Sequence, residues 1–244
     1  MSEPLLVVSS LTKRFGGFTA LDNVSLSILP GERVSLIGPN GSGKSTMVNC
    51  ISGMFRPEAG SVSFEGRQLN GVASHERIRI GVARTFQIPR PFATMTVLEN
   101  IEIPLMFAIS ERNKTKDKKT RLAAATEILA SVGLGRKLNE PSSSLTQVDM
   151  RKLELARAIA VSPKLLIADE SMAGLSGTEV DEILKLLLGL KERGIAVLLI
   201  EHIMRAVMSF SDRVVVLVAG KKIADDVPQA IISNPDVVKA YLGD

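Results

Sequence analysis

A chain of 244 residues with 45% hydrophobic and 23% charged residues has the length and composition of a globular protein with a large buried core. Thirty Lys and Arg against 26 Asp and Glu give a net charge of +4, which permits contact with nucleic acid or an anionic membrane but argues for neither. The single cysteine, Cys50, excludes an intrachain disulfide and fits a reducing compartment. Apolar runs such as Ile195–Ile200 and Val214–Ala219 fall far short of the ~20 residues that span a bilayer.

The chain opens Met-Ser-Glu-Pro, without the basic stretch and long apolar segment of a secretory leader. Leu5–Val8 reads as a strand, and the segment from Leu21 to Phe64, rich in Val, Ser and Gly, suggests antiparallel additions. Within it, Val34–Ile37 is a continuous apolar run, the pattern of a strand buried on both faces. It leads into Gly38-Pro39-Asn40-Gly41-Ser42-Gly43-Lys44-Ser45-Thr46, and Ser45–Gly53 has helical character.

Those nine residues read G-x-x-x-x-G-K-S at a strand-to-helix turn, the phosphate-cradling loop. Glycines let backbone N–H groups approach phosphate oxygens, and the positive end of the following helix adds to the attraction. Lys44 would reach the β- and γ-phosphates and the Ser45 hydroxyl would ligate Mg²⁺. A dinucleotide fingerprint fails, because Thr46 stands where its third glycine is needed and Lys44 would go unexplained.

From about Pro89 to Pro163 the pattern changes to three helical stretches, Val97–Ile109, Thr120–Val132 and Met150–Val161. The lysine-rich run Arg112–Arg121 reads as a solvated turn between two of them, with a lipid-facing or partner patch as the alternative. Strands return at Leu165–Ala168, Val197–Ile200 and Val214–Val218, separated by helical patterns such as Thr178–Arg193, which Gly194 stops. The fold class is therefore α/β: a P-loop NTPase core with a mostly parallel sheet, an antiparallel β part and an inserted helical subdomain. Residues 1–88 and 164–244 would form the core and residues 89–163 the insertion.

The strand at Leu165–Ala168 ends in Asp169 and Glu170. Solvated acids at a strand end are commonplace. After a phosphate loop in this topology, they place Asp169 near the Mg²⁺ shell and let Glu170 polarise the attacking water.

At these residues the chain resembles the ATP-binding subunits of ABC transporters, over essentially its whole length. Gly38–Thr46 matches their Walker A loop and Leu165–Glu170 their Walker B strand. The resemblance implies that Gln87, in Arg84-Thr85-Phe86-Gln87, senses Mg²⁺ and contacts the membrane subunit, that His202 contacts the γ-phosphate, and that Phe15 stacks on adenine. It sets Ala173-Gly174-Leu175-Ser176 at the D-loop position. Arg90-x-Phe92, Met95-Thr96-Val97-x-Glu99-Asn100, Glu201-His202-x-Met204 and the ending from Asn234 to Gly243 are similar to the ATPases of branched-chain amino-acid importers. Urea and amide importers share much of that pattern.

This implies an ATPase using ATP and Mg²⁺, peripheral on the cytoplasmic face of the membrane. Its partners would be transmembrane permease subunits, a second ATPase subunit and, indirectly, a solute-binding protein, with no nucleic acid. Two alternatives stay open: a regulatory nucleotide-binding subunit that does not hydrolyse ATP, and a soluble ABC ATPase acting on nucleic acid. The second usually carries a coiled-coil insertion or two fused ATPase halves, and this chain has neither.

One motif departs from the family pattern. Where the signature L-S-G-G-Q belongs, the chain reads Leu145-Thr146-Gln147-Val148-Asp149. Thr146 keeps a hydroxyl, Val148 adds a β-branched side chain where backbone must come close, and Asp149 would set a carboxylate near a polyanion. That repulsion is roughly 1 kcal/mol at 4 Å in water and about 4 at intermediate dielectric. Thr146-x-x-Asp149 is also a capping-box pattern, so the helix start would survive while the contact across a dimer is lost. A heterodimer with an intact-signature partner is the expectation, because a homodimer would carry the alteration in both ATP sites. Ser171, in place of the usual proline after the two acids, is a milder departure.

Overall fold

The structure, a computed structural model, describes residues 3–107 and 117–242. Two long antiparallel strands, β1 (Leu6–Phe15) and β2 (Phe18–Ile28), open the chain, followed by β3 (Arg33–Ile37) and α1 (Lys44–Ile51). β4 (Ala59–Phe64) and the two-residue β5 (Arg67–Gln68) complete an antiparallel sheet in the order β2-β1-β4-β5. Next come α2 (Ser74–Arg79) and β6 (Val82–Arg84), then α3 (Val97–Phe107), α4 (Lys118–Ser131) and α5 (Gln147–Ala160). The chain re-enters the second sheet at β7 (Leu165–Asp169) and alternates through α6 (Gly177–Gly189), β8 (Ala196–Ile200), α7 (Met204–Phe210), β9 (Arg213–Val218) and β10 (Lys221–Asp226). α8 (Pro228–Ile232) and α9 (Pro235–Leu242) follow.

The second sheet runs β10-β9-β3-β8-β7-β6 and is parallel throughout except for β10, which is antiparallel to β9. Every residue of β7 and β8 is buried, which is why their sequences are unbroken apolar runs rather than alternations. β8 lies between β3 and β7, so the carboxyl ends of β3, β8, β7 and β6 share one edge of the sheet. In parallel α/β sheets that edge is where ligands bind.

Layers form on both sides. Val34, Leu36, Ile167, Leu198 and Leu217 face α1 and the antiparallel sheet. On the other face Leu166, Ala168, Val197 and Leu199 join the apolar sides of α5 and α6 in one cluster that continues into α3 and α4. Fully burying each such side chain contributes about 1.5–3 kcal/mol. α6 shows how the sequence sets this: Val180, Ile183, Leu184 and Leu187 recur at helical spacing and are buried. Ser176 and Glu179 close a capping box at its start. The helix stops at Gly189; Lys191–Arg193 is a separate 3-10 turn that ends at Gly194 with φ of +70°.

Several elements extend or shift the sequence expectations. β1 runs on to Phe15, and α5 begins three residues before Met150 because Thr146 is its N-cap. Among the described residues no strand lies between β6 and β7. Ile109 and residues 112–116 of the basic run lie outside the described residues; Asp117 caps α4 by accepting from the Thr120 N–H at 2.9 Å.

Candidate functional site

The loop from Gly38 to Gly43 joins β3 to α1 at the shared edge. Its shape is enforced by neighbours rather than by its own side chains. The Gly220 N–H donates to Ser42 O at 3.0 Å and the Ser42 N–H to Pro39 O at 3.2 Å. A Cβ on Gly38, where φ is +149°, would stand 2.0 Å from Leu217 O in the adjacent strand β9. Gly41 (φ +77°) is the opposite case: a Cβ there would meet nothing within 4 Å. The loop is thus closed on its sheet side and open on its outer side, as a cradle for a phosphate must be.

Lys44 begins α1, and its ammonium donates to Gly38 O at 2.8 Å and Pro39 O at 2.9 Å. Burial pushes its pKa down, while Glu170 and Asp169 across the site pull it back up. Those two carboxylates at the end of β7 therefore lie within electrostatic reach of the loop lysine. Ser45 is exposed and Thr46 half-buried in the first turn of α1.

Glu170 departs from strand geometry with φ of +46°, an unusual conformation for a non-glycine residue. Its N–H donates to Ile200 O at the end of β8 (2.9 Å), and its carboxylate accepts from the Gln87 side-chain amide at 2.5 Å. Gln87 sits three residues past β6, so two adjacent strand ends bring this pair together. His202 follows β8 with its side chain 66% exposed, facing outward from the same edge. Ser45, Gln87 and Asp169 offer hydroxyl, amide and carboxylate oxygens, the hard donors that Mg²⁺ takes alongside water.

Sequence reasoning missed the roles of four charged side chains around the carboxylates. Arg84, at the end of β6, pairs with Asp169 at 2.7 Å and donates to Asn49 Oδ1 at 2.6 Å, tying β6 to both β7 and α1. Glu201, 2% exposed, accepts from the Met172 N–H at 2.9 Å and from the His202 N–H at 3.3 Å; burial pushes its pKa up. Arg151 and Glu154 on α5 reach the backbone around Gln87. Their only trace in the sequence is a charged residue lying beside an apolar-periodic stripe.

Phe15, 44% exposed, closes β1, with its ring edge-on to Phe55 at 5.3 Å and Lys13 above it at 5.1 Å. β2 touches the loop itself, since a Cβ on Gly43 would stand 2.6 Å from Ala20 O.

The altered segment at the start of α5 differs from its expectation in one respect. Thr146 Oγ1 accepts from the Asp149 N–H at 3.3 Å, the forward half of a capping box. The Asp149 carboxylate, however, is engaged by Lys137 at 2.7 Å and faces Lys152 at 3.7 Å. Burial raises the Asp149 pKa, but the hydrogen bonds from Lys137 and Thr146 and the two lysine charges outweigh it, so the group sits below the ordinary carboxylate range. It is a compensated charge, not a bare one.

A phosphate cradle with its lysine, a strand-end pair of acids and a glutamine from the neighbouring strand define a P-loop nucleotide-binding ATPase cassette. Comparison narrows the class. Residues 21–173 match the family model described as ABC transporter, and the chain belongs to that family. Residues 221–244 match a second model, described as branched-chain amino acid ATP-binding cassette transporter. The chain is 40% identical over 258 aligned positions to the high-affinity branched-chain amino acid transport ATP-binding protein LivG of Salmonella typhimurium, covering 100% of both. It is 39% identical to the corresponding protein BraF of Pseudomonas aeruginosa, again over 100% of both. Among solved structures, an ATP-binding cassette of an ABC transporter in its ADP conformation superposes with a TM-score of 0.89 at 33% identity, with 100% of each chain covered.

Proposed function

We propose that this chain is the ATP-hydrolysing subunit of an importer for branched-chain amino acids or similar small polar solutes. The reading rests on the 40% identity to LivG over the full length and on one geometric observation: the Gln87 amide held against Glu170 at 2.5 Å, within electrostatic reach of Lys44.

In this reading the loop amides of residues 41–46 and Lys44 grip the triphosphate, and Phe15 takes the adenine. Ser45, Asp169 and Gln87 would hold Mg²⁺, which supplies neutralisation of charge on the β- and γ-phosphates. Glu170 holds and deprotonates the attacking water, Gln87 orients it, and His202 bonds the γ-phosphate. Asp169, which would be one of the Mg²⁺ ligands, is paired with Arg84 at 2.7 Å in the structure. Residues 89–163 act as a unit carrying the altered signature, moving against the core of residues 1–88 and 164–244 and passing that motion through the Gln87 loop to a permease subunit. Among the described residues no helix is long and apolar enough to cross a membrane. Separate permease subunits form the path for the solute. The assembly sits on the cytoplasmic membrane face, takes solute from a binding protein, and pairs this chain with a second, different ATPase subunit.

The test is the transporter reconstituted with its co-purifying subunits. Glu170→Gln should retain ATP binding and lower turnover by about 10²–10⁴-fold, the contribution of a positioned general base. Lys44→Ala should abolish nucleotide binding. Normal turnover in Glu170→Gln, or unchanged binding in Lys44→Ala, rejects the assignment. The isolated chain should hydrolyse ATP slowly; brisk activity on its own argues against the need for a different partner.

A further inference from the structure

Glu170 and Gln87 are held from an unexpected side. Gln147, Arg151 and Glu154 recur at i, i+4 and i+7 on α5 and so line one face of that helix. Gln147 Nε2 donates to Ala173 O at 3.4 Å. Arg151 Nη2 donates to the same carbonyl at 3.3 Å, and its Nη1 donates to Phe86 O at 3.3 Å and Gln87 O at 2.6 Å. Glu154 Oε1 accepts from the Phe86 N–H at 2.6 Å. Three side chains from one helix thus hold the backbone on both sides of the Phe86–Gln87 peptide and the carbonyl of Ala173.

Ala173 matters because its own N–H donates to Glu170 O at 3.2 Å, closing the turn that gives Glu170 its positive φ. Gln147 also lies close to the next residue: a Cβ on Gly174, where φ is +79°, would stand 2.6 Å from its amide nitrogen. The residue that replaces a signature glycine therefore has an intrachain partner in the loop following Glu170.

Stability does not account for the arrangement. Arg151 and Glu154 are 6% and 8% exposed and 3.9 Å apart. Burial raises the Glu154 pKa against the pull of the Phe86 N–H, Arg151 and Arg157. Burying a charge pair at that separation recovers little of the desolvation cost, and an apolar pair would pack as well. What an apolar pair could not do is fix three carbonyls and an N–H in register.

We propose that Gln147, Arg151 and Glu154 are positioning residues that set Gln87 against Glu170, so that the placement of α5 determines whether the catalytic pair is assembled. This deepens the proposed function and rests on it. A displacement of α5 by about 1 Å would stretch the 2.6 Å contacts past hydrogen-bond length and release the Gln87 loop, while the nucleotide cradle on β3 and α1 stays in place.

The test uses Arg151→Lys, Glu154→Leu, Glu154→Gln and Gln147→Gly. Fluorescent ATP binding is measured on the full chain, and kcat and KM on the reconstituted transporter. Nucleotide Kd and KM should stay within about twofold, while kcat falls on the order of 10-fold in Arg151→Lys and Glu154→Leu. Glu154→Gln keeps an acceptor for the Phe86 N–H and should recover most of that loss. Gln147→Gly, at an exposed position that cannot unfold the chain, should lower kcat about two- to threefold. Amide exchange should quicken at residues 86–88 and 173–174 and stay unchanged at residues 41–46. Wild-type kcat in both Arg151→Lys and Glu154→Leu overturns the proposal, as does a parallel loss of kcat, nucleotide affinity and melting temperature across all four variants. Should the wild type fail to bind Mg-ATP, the proposed function fails on that result alone. The exchange pattern at residues 86–88 and 173–174 still decides whether the stripe holds the loops.

Discussion

Replacing Gly38 and Gly41 by alanine, one at a time, separates the two jobs of a phosphate loop. At Gly38 the new Cβ falls 2.0 Å from Leu217 O, a backbone atom in a buried central strand, and φ is +149°. Relief needs β9 to move by more than 1 Å against its pairing with β3. The overpacking costs about 1–3 kcal/mol and the forced backbone conformation a similar amount, so about 2–6 in all. Against a typical total of about 5–15 kcal/mol, that is a large share of the fold's stability. At Gly41 φ is +77° and nothing lies within 4 Å. The left-handed conformation costs about 1–2 kcal/mol, and the methyl projects into the open side of the cradle. Urea unfolding and titration with a fluorescent ATP analogue distinguish the two. Gly38→Ala should lose several kcal/mol, whereas Gly41→Ala should lose no more than about 1–2 kcal/mol of stability and at least about 10-fold in affinity, or ~1.4 kcal/mol. Equal affinity in Gly41→Ala, or a Gly38→Ala variant within about 1 kcal/mol of wild type, would refute the division of the loop into a sheet side and a ligand side.

Three further outcomes follow from side chains away from the loop. Burial would raise the Asp212 pKa, but Arg33, bonding it from both its guanidinium (2.6 Å) and its N–H (3.0 Å), and Lys191 hold it at about 2. Because the folded value lies below the unfolded one, the stabilisation is present above about pH 4 and lost as pH falls toward 2. Discounted for a side chain 32% exposed, Asp212→Asn should cost about 1 kcal/mol at pH 7 and almost nothing near pH 2, read from urea midpoints at both pH values; a pH-independent cost contradicts the linkage. Burial pushes the Cys50 thiol up to about 11, so iodoacetamide should label the native protein at least about 100-fold more slowly than the urea-unfolded chain, and equal rates would show that α1 opens readily. Lys137→Met removes the 2.7 Å partner of Asp149 and should weaken ATP-driven association with the second ATPase subunit, with recovery in the Lys137→Met, Asp149→Asn double variant; sedimentation without that recovery denies the compensation.

The phosphate loop was legible because its chemistry is contiguous: nine residues and the strand before them are enough to state a ligand. β7 and β8 were legible because burial on both faces leaves an unbroken apolar run. β10 was not, since Lys221–Asp226 is a half-exposed edge strand whose lysines and aspartates read as loop. β6 escaped for a different reason: three residues are too few to show a pattern, and its pairing with Leu165–Ile167 spans some eighty positions of chain. The same non-locality hid Arg151 and Glu154, whose partners Phe86 and Gln87 lie 64 to 68 residues away. A helix-spacing rule places both on α5; it says nothing about which loops arrive beside them.

The start of α5 shows how a departure in sequence differs from a departure in surface. Gln147, Val148 and Asp149 stand where the resemblance implies residues that let a second subunit's phosphate come close, and from sequence the β-branched Val148 and the Asp149 carboxylate both stood against that contact. In the fold each of the three is turned to its own chain: Gln147 to Ala173 O, Val148 against the apolar cluster of the helical part, Asp149 to Lys137. An ion pair's field falls off faster than that of a lone carboxylate, so charge ceases to be the obstacle. What persists is steric. Two residues with Cβ atoms stand where the signature pattern has glycines, and Gln147 shares the Ala173 carbonyl with Arg151. The proposal of an unlike partner therefore rests on shape at positions 147 and 148, and under the two proposals together the side chain that would crowd the contact across a dimer is one that would support catalysis within the chain.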